Sequence, residues 1–125
     1  MRPLKAETLA TCWLQNKGDS GFTQRALPIE AQYGPVYAIA TTDINGDGKP
    51  DLLLAGGNQW TRIRFGRYHA SHGILLLNDG KGNFRYVPQD QSGLRLRDDT
   101  RDVLDIDNKK LIFGINDGPA QIYNY

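Results

Sequence analysis

The apolar residues of this chain fall in short bursts, each about as long as a β-strand and each bounded by residues that favour turns. In order they read "TCWLQN", "VYAIATTD", "DLLLAGG", "GILLLND", "FRYVP", "RDVLDID", "KLIFGIN" and "AQIYNY". Between them lie "KGDSG", "NGDGKP", "NDGKGN" and "NDGP". In such stretches glycine supplies positive φ, and asparagine or aspartate bonds its own backbone. The pattern predicts an all-β domain. A competing reading, a helix over residues 4–14 with Leu4, Thr8 and Thr11 on one face, is short and weakly apolar.

The bursts also repeat. Placing "WLQNKGDSGF" over "LLLNDGKGNF" sets Asn16 on Asn78, Gly18 on Gly80 and Phe22 on Phe84, each 62 residues apart. "TTDIN" from Thr41 falls on "VLDID" from Val103 at the same offset, with Asp43 on Asp105 and Ile44 on Ile106. "LLLAGGN" then meets "KLIFGIN" at an offset of 58, which places a loss of four residues in the acidic loop of the second copy. A period of roughly 60 residues with about four short strands is what one blade of a β-propeller requires, although a β-solenoid or two stacked meanders also fit. The chain is therefore expected to hold about two four-stranded antiparallel blades in one segment, residues 1–125, with repeats at about 9–62 and 71–125.

Composition narrows the function classes. The 125 residues suit one small domain, and a net charge of +1 gives no bulk electrostatic reason to bind nucleic acid. Cys12 is the only cysteine, so no intramolecular disulfide is available. No apolar run approaches the ~20 residues of a membrane-spanning helix. The N-terminal "MRPLKAETLATCWLQ" has no apolar core of the signal-peptide kind, so no export address is expected in this chain.

The first chemically loaded stretch is "DINGDGKPDLLLAGG", Asp43 to Gly57. Counting from Asp43, positions 1, 3, 5 and 9 are Asp43, Asn45, Asp47 and Asp51, with Gly46 and Gly48 able to wrap the chain inward. Hard cations such as calcium take ~6–8 oxygens, and alternate side chains of a tight loop supply carboxylate and amide oxygens from one side. The main-chain carbonyl of Lys49 would add another. An EF-hand would need a bidentate glutamate at position 12, where Leu54 stands, and a helix that Pro50 opposes. The alternative is a solvated Asn-Gly/Asp-Gly turn between two strands, in which three acids and an asparagine face one another without a cation. In the second copy, "DIDNKK" keeps Asp105 and Asp107 but loses the glycines and the last acid, and is expected to bind no metal.

A second candidate lies in "NQWTRIRFGRYHASHG". Trp60, Arg62 and Arg64 alternate with Thr61, Ile63 and Phe65, so in an extended chain an aromatic and two guanidiniums share a face, with Arg67 following. Such a face could stack on a sugar or grip a carboxylate or phosphate. The plainer reading is a connection whose arginines pair with Asp98, Asp99 or Asp102. His69 and His72, spaced H-x-x-H, lack a third ligand of obvious spacing for a transition metal. No G-x-S-x-G, Walker loop, H-E-x-x-H or dinucleotide turn is present, so no catalytic residues are assigned.

Taken together, these stretches resemble the FG-GAP repeats, also called VCBS repeats, of integrin α-subunit propellers and many secreted bacterial proteins. "DINGDGKPDLLLAGG" is similar to their DxNxDGxxD loop, and "WLQNKGDSGF" and "LLLNDGKGNF" to the other half of the repeat. The order of segments further resembles the C-terminal end of bacterial proteins that carry ASPIC/UnbV segments. The resemblance implies calcium held by Asp43, Asn45, Asp47, Asp51 and the Lys49 carbonyl. It implies a closed propeller exported to the cell surface or beyond, in the extracellular space or cell envelope. The implied task is adhesion or recognition of a protein or carbohydrate ligand there. The alternatives are a part of a secreted carbohydrate-active enzyme and a purely structural module. Two blades cannot close a ring where typical propellers need at least about four. A C-terminal fragment, a truncated reading frame, or completion by other blades or by self-association is therefore expected.

Overall fold

The computed structural model describes residues 3–57, 72–97 and 99–125. It is all-β and antiparallel. The strands are β1 (Cys12–Asn16), β2 (Phe22–Ala26), β3 (Ala38–Thr42), β4 (Asp51–Ala55), β5 (Ile74–Asn78), β6 (Phe84–Val87), β7 (Asp99–Ile106), β8 (Lys110–Asn116) and β9 (Gln121–Asn124). A single helical turn, α1 (Gln89–Ser92), follows β6. Among the described residues hydrogen bonding groups the strands into three sheets, β1-β2, β3-β4-β5-β6 and β7-β8-β9.

Among the described residues one four-stranded sheet is flanked by a two-stranded and a three-stranded one, an all-β antiparallel arrangement compatible with the expected propeller fragment. The period agrees, but the phase differs. The sequence repeat starts at a β1-like strand, whereas the sheet starts at β3 and runs through β6. Each crossing between sheets uses the same device: Pro28 or Pro88, both extended, leads into one turn of helix, Ile29–Gln32 or Gln89–Ser92. Proline is tolerated there because the first N–H groups of a helical turn have no partner to lose.

The middle sheet is covered on both sides, and its sequence shows why. Successive residues of a strand face opposite sides, and in β4 both sides are apolar. Leu53 and Ala55 join Ala38, Ala40, Leu75 and Val87 against Leu94, Leu96, Leu111 and Phe113. Leu54 joins Ile74 and Leu76 against Leu27 and Ala31, with Trp13, Phe84 and Tyr86 packed at the margin. This explains the unbroken "LLL" runs, since a sheet buried on both faces has no polar side to alternate with. Fully burying one such leucine contributes about 1.5–3 kcal/mol. Trp13 of the first sheet meets Phe84 of the middle sheet edge to face at 5.9 Å, and within the third sheet Phe113 and Tyr123 pair edge to face at 5.6 Å.

Residues 3–11 carry no regular structure and Leu4 and Leu9 are exposed, so the helix considered for residues 4–14 does not form. That segment has no apolar stripe to bury. Strand β2 has no counterpart among the predicted bursts because every one of its residues is exposed, which erases alternation. Ladder register also revises the second half of the repeat. Thr41 pairs with Leu52 and Val103 with Phe113, so Leu52 corresponds to Phe113, at an offset of 61 rather than 58. The residues that form a loop in the first copy become ladder in the second, with Asp105 opposite Leu111 and Ile106 opposite Lys110.

Candidate metal centre

The loop from Asp43 to Pro50 joins β3 to β4 and is wound by side-chain oxygens bonded to its own backbone. Asp43 accepts from the N–H of Asp47 at 3.0 Å and of Gly48 at 2.7 Å. Asn45 Oδ1 accepts from the same Asp47 N–H at 3.0 Å, and Asp47 Oδ1 from the Lys49 N–H at 3.0 Å. Gly46 and Gly48 take φ of 75° and 80°, the left-handed region closed to most side chains. These bonds gather the oxygens of positions 1, 3 and 5 around the loop's inner N–H groups. The remaining charge on Asp47 is met by the Lys49 ammonium at 3.2 Å. Partial desolvation pushes the Asp47 carboxyl up, but the Lys49 N–H and ammonium and the Asn45 amide outweigh it and hold it below the usual carboxylate range.

Asp51 sits apart from the other three in character. It is 1% exposed, and its oxygens accept the N–H of Ile44 at 3.1 Å and of Asn78 at 2.9 Å. Asn78 in turn donates its side-chain amide to the Pro50 carbonyl at 3.0 Å. Asp51 thus closes the loop and anchors it to β5. Sequence reasoning placed Asp51 in the loop but missed Asn78, whose role depends on contact across sheet neighbours.

The donor set of this loop, three carboxylates, an amide oxygen and the Lys49 carbonyl, fits a hard cation by its chemistry. An ionised carboxylate offers about four lone-pair sites, so oxygens already accepting an N–H retain capacity. As the loop stands, no three acidic, histidine or cysteine side chains among the described residues converge on one point in a metal-holding arrangement.

The neighbouring turn, Asp79 to Asn83, is built the same way. Asp79 accepts the Asn83 side-chain amide at 2.6 Å, the Lys81 N–H at 2.7 Å and the Asn83 N–H at 3.1 Å. Those three donors, the Asn83 amide foremost, push its carboxyl down to about 2. In the second copy, Asp105 is drawn away from its turn: its Oδ2 accepts from the Tyr125 hydroxyl at 2.8 Å, and that hydroxyl lies 2.7 Å from Thr42 Oγ1.

The other sequence candidates separate cleanly. Trp60, Arg62, Arg64, Arg67 and His69 lie outside the described residues. His72 is described, and its Nδ1 is 2.9 Å from the Leu96 carbonyl. Asp99, considered as a partner for those arginines, is buried and forms an ion pair with Arg101 at 3.2 Å.

A family model described as FG-GAP repeat matches residues 35–61, which span β3, the acidic loop and β4. No curated protein and no solved structure matches the chain. FG-GAP is a β-propeller repeat, and the antiparallel sheets stacked face to face are compatible with a fragment of such a propeller. Repeats of this family are generally structural or ligand-binding modules and typically occur in extracellular proteins. No helix among the described residues is long and apolar enough to cross a membrane.

Proposed function

We infer that this chain is a non-catalytic, calcium-binding propeller segment whose task is recognition or adhesion outside the cell. The alternation of oxygen donors at Asp43, Asn45, Asp47 and Asp51, on a loop inside the FG-GAP match, carries the reading. Asp43, Asn45, Asp47, Asp51 and the Lys49 carbonyl would hold the ion. Calcium would supply charge neutralisation and rigidity, not chemistry.

The chain's own residues make that role sensible. Asp43 and Asp47 are partly exposed like-charged groups held close by backbone bonds, and the Lys49 ammonium is the one cation paired with them among the described residues. A bound cation replaces that weak, solvent-screened pair with direct charge compensation. It also fixes the entry to β4, whose leucines build both cores. Remaining blades, or other copies of the chain, would complete the ring. The test is equilibrium dialysis against calcium with magnesium present. Saturable uptake of one ion per chain, lost in Asp43→Asn and Asp47→Ala, supports the reading. No uptake by the folded protein overturns it.

A further inference from the structure

At the end of the strands opposite the acidic loop, the crossing from β6 to β7 passes beside the start of β5. Leu94 and Leu96 are buried, at 4% and 1% exposure, and alternate with exposed Arg95 and Arg97. An extended chain therefore sends both guanidiniums to one outward face, about 6–7 Å apart along the backbone. The segment is fixed in place. The Leu96 N–H donates to the His72 carbonyl at 3.0 Å, His72 Nδ1 is 2.9 Å from the Leu96 carbonyl, and the Arg95 N–H donates to the Tyr123 hydroxyl at 3.2 Å. Gly73, at φ 89°, permits this approach, since a Cβ there would stand 3.0 Å from the Leu96 side chain.

Arg95 and Arg97 line a cleft of about 420 Å³ with His72, Gln89 and Asp90. Neither guanidinium has a bonded or ion-paired side chain among the described residues. Beyond His72 and Gln89, which border both, a second cleft of about 130 Å³ carries the half-exposed ring of Tyr33. The two clefts share His72 and Gln89, and together they offer planar cationic forks with the Asp90 carboxylate on one side and the Tyr33 ring with the Glu30 carboxylate on the other.

We propose that these two clefts together bind an acidic sugar, a saccharide bearing a carboxylate or sulfate. The guanidiniums take the anionic group bidentately. Asp90 accepts from ring hydroxyls and the Gln89 amide both accepts from and donates to them, contacts that a plain anion site would not need and that Asp90 would weaken. Tyr33 packs against the apolar face of the next ring. The volume suits one to two sugar rings by the ~300–1,000 Å³ scale of small-ligand sites. The inference rests on recognition as the chain's task and gives it a ligand class.

The test is an NMR titration of the ¹⁵N-labelled chain with glucuronate, glucose 6-sulfate, glucose and inorganic phosphate. Saturable shifts at Gln89, Asp90 and Arg95 to Arg97 with the acidic sugars, and about tenfold weaker or no response to glucose and phosphate, support the proposal. The ratio of the two acidic sugars then says which anionic group is preferred. Arg95→Ala and Arg97→Ala, both on exposed side chains, should each weaken binding about tenfold with the remaining spectrum unchanged. Equal binding of glucose, phosphate binding as tight as glucuronate, or indifference to both variants overturns it. Calcium uptake measured on the same samples separates the two readings: acidic-sugar binding without calcium uptake removes only the metal site, and the converse removes only the sugar site.

Discussion

The Asp51 carboxylate accepts the backbone N–H of Asn78 at 2.9 Å, and Asn78 returns its side-chain amide to the Pro50 carbonyl at 3.0 Å. This reciprocal clamp ties the loop before β4 to the end of β5. Asp51 is buried and accepts from two backbone donors, so removing it leaves the N–H groups of Ile44 and Asn78 unsatisfied. Asp51→Ala should cost about 1–3 kcal/mol per orphaned group, in urea unfolding without added metal. A loss below about 0.5 kcal/mol, the size of an ordinary surface change, would show that the clamp does not hold the loop.

Tyr125 joins the middle sheet to the third one. Its hydroxyl donates to Asp105 at 2.8 Å and lies 2.7 Å from Thr42 Oγ1, while Asp105 Oδ1 is buried without a partner among the described residues. Tyr125→Phe removes the only donor on that carboxylate among the described residues and should destabilise by about 1–3 kcal/mol. Partial burial first, then the negative charge of Asp105, raises the phenol's pKa above its ordinary 10.0. A raised pKa in the folded state means the stabilisation is complete below pH 10.0 and is lost as pH climbs through the folded value. Alkaline unfolding of Tyr125→Phe should accordingly be less steep than that of the parent.

Asp79 works in the opposite sense. Its folded pKa of about 2 lies below the ordinary 3.8, so its contribution is present above pH 3.8 and fades as pH falls toward 2. Carboxyl NMR titration should find the depressed midpoint, and Asn83→Ala should raise it part of the way, because the Asn83 amide is the largest cause while the N–H groups of Lys81 and residue 83 still donate. An Asp79 midpoint unchanged by Asn83→Ala would contradict the assignment.

Gly82 is where the β5–β6 turn meets the first sheet. It has φ 84°, and a Cβ there would come within 2.5 Å of the Trp13 ring. Gly82→Ala pays about 1–2 kcal/mol for the left-handed backbone alone and displaces Trp13 from Phe84 as well. A lowered unfolding midpoint with a shifted tryptophan emission is the expected result.

How far these relationships could be read in advance depended on distance along the chain. All eight apolar bursts became strands, because a strand buried on one or both faces writes that burial into its sequence. Strand β2 is exposed throughout and left only the repeat as a clue, since Phe22 sits 62 residues before the first residue of β6, Phe84. The grouping of strands into sheets was not legible, because both phases of a repeat give the same period. The slip from an offset of 58 to 61 arose from matching glycines and asparagines rather than faces, and an odd shift reverses which side of a sheet each residue meets. Within the loop, the order of Asp43, Asn45, Asp47 and Asp51 was plain. Asn78, Tyr125 and the Arg95–Arg97 pair acquire their roles only through contacts between sheets.

Thermal unfolding with excess calcium and with chelator, on the parent and on Asp47→Ala, tests the central claim most directly. The account predicts a higher melting temperature with calcium for the parent and none of that rise for Asp47→Ala. An unfolding curve of the folded parent that is the same with calcium and with chelator would contradict it, and would leave Asp43 to Asp51 as a self-bonded turn.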